Sequence, residues 1–67
     1  MTALVFRRQK TETWKEAMLR YARRYYMEND VLETYERFVR TGETEVRAAW
    51  SALYEWDLLD FPEGGEE

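Results

Sequence analysis

Apolar residues recur along this chain at spacings of three and four, and three segments carry the pattern. Trp14, Ala17, Met18, Tyr21 and Tyr25 define one stripe. Val31, Leu32, Tyr35, Phe38 and Val39 define a second, and Val46, Ala49, Trp50, Leu53 and Trp56 a third. Each stripe fits one face of an amphipathic helix. Thr13-x-x-Glu16 starts the first helix as a capping box, with Thr11 as a rival cap two residues earlier. Asn29 suits the left-handed position that closes a helix, and Asp30-x-x-Glu33 reads as a second capping box. Thr41-Gly42-Glu43-Thr44 then supplies a glycine past a helix end and a threonine cap for the last helix, which Phe61-Pro62 stops.

The expected architecture is all-α: a small bundle of two or three antiparallel helices at about 13–28, 31–41 and 44–59. A single kinked helix over 13–41 competes with the first two, because Met18, Tyr25, Leu32 and Val39 lie seven apart. That version places Glu28 in the seam and turns Val31 and Phe38 away from it, so a break is favoured. Residues 3–8 read as an extended arm or a short strand. One domain is expected over 1–61, followed by a disordered acidic tail at 62–67.

Charge is divided between the two halves. Residues 1–24 carry seven Lys/Arg against two acids, 7 − 2 = +5, and residues 25–67 carry three against twelve, 3 − 12 = −9. Such halves attract each other within a fold or between copies, and the basic half can also hold an anionic partner. Arg7, Arg8, Lys10, Arg20, Arg23 and Arg24 are the candidate anion-binding residues. On a helical wheel the last three lie opposite the Trp14/Tyr21/Tyr25 stripe, as a solvated outer face would.

Chemistry is constrained by what is missing. The 67 residues contain no Cys and no His, which removes disulfides, thiolate metal sites, the commonest general base and the commonest transition-metal ligand. No Asp-x-Asp-x-Asp-Gly loop or phosphate-cradling glycine loop is present, so neither catalytic residues nor a cofactor or metal is expected. A chain this short buries only about 60% of its unfolded surface and usually needs a staple. Leu19, Ala22 and Tyr26 form a second apolar strip on the first helix and are the candidate interaction surface, covered either by the arm through Leu4 and Phe6 or by another chain. Asp57 falls near the third apolar stripe, where burial would require an ion pair with Arg20, Arg24, Arg37 or Arg40; the favoured alternative leaves it solvated in a frayed last turn.

The leading functional expectation is a non-enzymatic protein-interaction module, an accessory, adaptor or inhibitor subunit of the kind bacteria and phages encode as short genes. It is expected to form a homo-oligomer, at least a dimer, through aromatic helix faces, and to have a protein partner the sequence does not name. The alternatives are a nucleic-acid-binding protein using the basic half, or an acidic mimic of nucleic acid using the −9 half. Cytoplasm is the expected location, since no targeting or membrane-spanning segment is recognisable.

Overall fold

In the computed structural model, which describes residues 6–59, three helices form: α1 (Trp14–Arg23), α2 (Glu28–Arg40) and α3 (Glu45–Glu55). The all-α bundle is therefore as the sequence predicts, and residues 6–8 lie in an arm without strand structure. Leu4, the rest of the arm's start and the acidic tail lie outside the described residues.

The capping box at Thr13 closes as expected. Its Oγ1 accepts from the Glu16 amide at 3.1 Å, and the Glu16 carboxylate accepts from the Thr13 amide at 2.9 Å. Thr44 caps α3 by accepting from the Arg47 amide at 3.3 Å. Asp30, however, caps nothing. It lies in the first turn of α2, where an acid suits the positive end of the helix dipole.

The break between α1 and α2 falls earlier than the Asn29-Asp30 signal, because α1 is closed by a different device. The Met27 amide donates to the Ala22 carbonyl at 3.2 Å and the Tyr26 amide to Arg23 at 3.1 Å, the paired bonds of a Schellman motif. Tyr26 takes the left-handed position with φ 59°. The same two bonds close α2 through Gly42 (φ 105°) and α3 through Asp57 (φ 64°). Glycine occupies that region freely, whereas a side-chain-bearing residue is held there at a cost of roughly 1–2 kcal/mol. The left-handed Asp57 ends α3 at Glu55 rather than at Leu59, and Leu58 then folds back so that its amide meets the Leu53 carbonyl at 2.9 Å.

Packing follows the stripes, with exchanges at their edges. Ala17, Met18, Tyr21, Val31, Tyr35, Ala49 and Leu53 are buried, while Tyr25, Val39 and Trp56 are exposed. Ala22, Thr34, Ala48 and Ala52 are buried although the stripes omit them. Helix α3 packs against both α1 and α2, so it buries two faces, and its alanines allow the backbones to approach closely. Thr34 is satisfied: its hydroxyl donates to the Asp30 carbonyl at 3.1 Å and accepts from Trp56 Nε1 at 2.9 Å. Tyr21 adds a further tie, donating to the Leu58 carbonyl at 3.2 Å. Tyr35 is held neutral, its pKa pushed up to about 12 by burial and by the Glu45 carboxylate bonded to it.

Candidate interaction surface

Two features dominate the surface: a basic arm latched onto α1, and a set of large side chains left outside the core. The arm is pinned by Phe6, which is buried edge-on against Trp14 (5.6 Å between ring centres), Tyr21 (5.5 Å) and Trp50 (5.0 Å). A tight turn then brings the Glu12 amide to the Gln9 carbonyl at 3.0 Å. Glu12 faces Arg20 through two bonds, Nε to Oε2 at 2.7 Å and Nη2 to Oε1 at 3.0 Å, and Arg20 Nη2 also donates to the Arg7 carbonyl at 2.9 Å. A forked guanidinium meeting a carboxylate in this way is the strongest geometry such a pair adopts.

Arg20 is therefore not part of a solvated basic face; it is the latch of the arm. Arg23 is also engaged, its Nε 2.8 Å from Glu28 Oε2. Arg8 donates to the Glu12 carbonyl at 2.9 Å and lies 5.7 Å from the centre of the Trp14 ring. Arg7, Lys10 and Arg24 are exposed, with no ion-pair partner among the described residues. The fold does bring the arm beside α1, but it does so through the Arg7 carbonyl and the Glu12 carboxylate. The six candidate anion-binding cations are thus divided between internal bonds and free surface, with an acid among them.

The candidate strip Leu19, Ala22 and Tyr26 is not one exposed face. Ala22 is fully buried, and Leu19 is half-buried against the core. Tyr26 has left the helix and is 94% exposed. The physical cause is the Schellman turn, which ends the helical register four residues after Ala22. Asp57 is exposed at its turn and makes no ion pair among the described residues, which agrees with the solvated alternative and not with the buried ion pair.

Glu12 gives the latch a pH signature. The Arg20 hydrogen bonds, followed by the Gln9 amide, lower its pKa from 4.5 to about 2. Because the folded value is depressed, the latch contributes fully above pH 4.5, and its contribution is lost as pH falls through about 2. In an acid titration followed by tryptophan fluorescence, Glu12→Gln should flatten the response over that window, since Trp14 and Trp50 border the pinned ring. Identical acid curves for the two proteins would show that the latch does not carry this linkage.

Among the described residues, no group of three or more Asp or Glu is placed to hold a metal ion. No helix there is long and apolar enough to cross a membrane. No family model, curated protein or solved structure matches the chain.

Proposed function

We propose that this chain is a small non-catalytic protein-interaction module that self-associates. The observation that carries this reading is an inverted distribution of apolar bulk. Five of the buried core positions are alanines (Ala17, Ala22, Ala48, Ala49, Ala52), while Tyr25, Tyr26, Val39, Tyr54 and Trp56 are exposed. A small fold short of core volume would gain most by burying its own large side chains. Association would bury part of this surface, Tyr26 above all, which is 94% exposed.

The nucleic-acid reading is less well supported, because Arg20 and Arg23 are already bonded to carboxylates. Long-range repulsion from a chain of net charge −4 acts in the same direction.

Two measurements test the reading. Light scattering at micromolar concentration should report a dimer or larger, and a stable 8.2 kDa monomer at high concentration would refute self-association. Duplex and single-stranded nucleic acid should show no binding at ~150 mM salt, where counterion release no longer favours a weak patch. Submicromolar, salt-sensitive binding that disappears in the Arg7→Glu, Lys10→Glu, Arg24→Glu variant would reverse the ranking. Those three positions are chosen because reversing Arg20 would also open the arm.

A further inference from the structure

We infer that the arm and the turn after α3 form one coupled clasp. The Tyr21 side chain, set in place by the Phe6 ring, holds the turn at Asp57 closed, so release of the arm loosens that turn. The inference is independent of self-association.

The turn is a strained element. Asp57 is left-handed at φ 64°, a conformation that glycine adopts freely and a side-chain-bearing residue does not. Such strain persists only where the surroundings over-determine it. Here two side-chain bonds bracket the strained residue. On one side, Trp56 Nε1 donates to Thr34 Oγ1 at 2.9 Å and ties the turn to α2. On the other, the Tyr21 hydroxyl donates to the Leu58 carbonyl at 3.2 Å and ties it to α1. Closure is registered in the backbone, where the Leu58 amide meets the Leu53 carbonyl at 2.9 Å. The Leu58 side chain is only half-buried against the core, so packing alone does not lock the turn.

Tyr21 is also the residue on which the arm rests. The buried Phe6 ring meets it edge-on, 5.5 Å between ring centres. A tyrosine hydroxyl has no freedom of position apart from its ring, so whatever orients the ring also aims the hydroxyl. Tyr25 borders the same ring at 5.8 Å but is itself partly exposed, and Phe6 is the better-buried support. With Phe6 withdrawn, the Tyr21 ring gains room to turn. Its bond to Leu58 is already longer than hydroxyl donors usually make, so it is the tie that yields first. One ring therefore joins two segments that have no backbone bond to each other among the described residues. Coupling of this kind is reciprocal: an event that opens the turn also loosens the arm.

Amide hydrogen exchange of the full chain tests this, because it reads local opening residue by residue. The reporter is the Leu58 amide. The reference is the Glu43 amide, which makes the matching bond to the Phe38 carbonyl at 3.1 Å where α2 closes through Gly42. Phe6→Ala should raise exchange at Leu58 relative to Glu43 by about two- to tenfold, the range that loss of one such hydrogen bond commands. Tyr21→Phe keeps the ring, removes the hydroxyl and should give a rise of similar size. Adding Phe6→Ala to Tyr21→Phe should then raise the ratio no further, since the tie through which Phe6 acts is already gone. Phe6→Leu supplies the same comparison with a smaller rise if the alanine variant does not fold. A ratio that fails to rise in Phe6→Ala or in Tyr21→Phe would overturn the inference. So would a double variant in which the two rises multiply in full, since Phe6 would then act on the turn without Tyr21.

Discussion

Leu53→Ala should remove most of the stability of this protein. Leu53 is one of the largest side chains with no exposure at all, and α3 carries it between the two other helices. Truncating such a residue costs about 2–5 kcal/mol, the lost transfer energy plus a cavity the surroundings cannot close. Protein interiors are close-packed and relax only partly around such a space, so most of the cavity is expected to remain. A chain of this length is expected to have about 3–10 kcal/mol in all. Urea unfolding followed by the far-ultraviolet helical signal should therefore show a midpoint near or below the start of the wild-type transition. A loss under about 1 kcal/mol would mean that this face of α3 is not the interior. Trp50→Ala should fall in the same range with a smaller certain share from burial, since Trp50 is only half-buried.

The elements that local chemistry controls were legible in the sequence. The Thr13 capping box, Gly42 and the Thr44 cap each need only a few neighbouring residues, and each acts as its residue types predict. The core stripes were legible at their centres for a related reason, since spacing alone fixes which side chains share a helix face. Where the reading missed, a non-local contact had decided the outcome. Ala48 and Ala52 are buried because α3 touches two helices, and alanine carries too little apolar weight to mark a second buried face. Arg20 looked like surface because its partner, Glu12, is returned to it by the arm from eight residues upstream.

Tyr26 and Asp57 were missed for the opposite reason. Their left-handed turns follow the rule for helix ends but use residues that the rule disfavours. The Asn29-Asp30 pair was the better local signal for a break, and the chain turned at Tyr26 instead. Sequence reasoning that departs from structure at a strained residue marks a place where local stability is not what the sequence serves. The same displacement separated Tyr26 from Leu19 and Ala22, so the candidate strip survives only at its last member.

Phe6→Ala should detach the arm while leaving the three helices in place. Phe6 is 4% exposed and supplies three edge-to-face ring contacts, and it is followed by Arg7 to Thr11, all of which are exposed. Without the ring, the contacts that hold the arm to α1 among the described residues are the Arg20 bonds to Glu12 and to the Arg7 carbonyl and Arg8 over the Trp14 ring, all accessible to solvent and therefore weak. Truncating a buried phenylalanine costs about 3–5 kcal/mol when its site stays closed. Here the arm can leave, and water that enters can reach Trp50, whose indole nitrogen is buried without a hydrogen-bond partner among the described residues. The loss should therefore sit near the lower end of that range, distinct from the trapped cavity of Leu53→Ala. Folded-state tryptophan fluorescence should shift toward that of a wetter indole, because Trp14 and Trp50 both border the missing ring, while the far-ultraviolet signal stays helical. Acid titration gives an independent check: with the arm released, the dependence between pH 4.5 and about 2 that belongs to Glu12 should be reduced in Phe6→Ala, as it is in Glu12→Gln. Unchanged fluorescence together with a stability loss below about 1 kcal/mol would show that the ring is not what holds the arm.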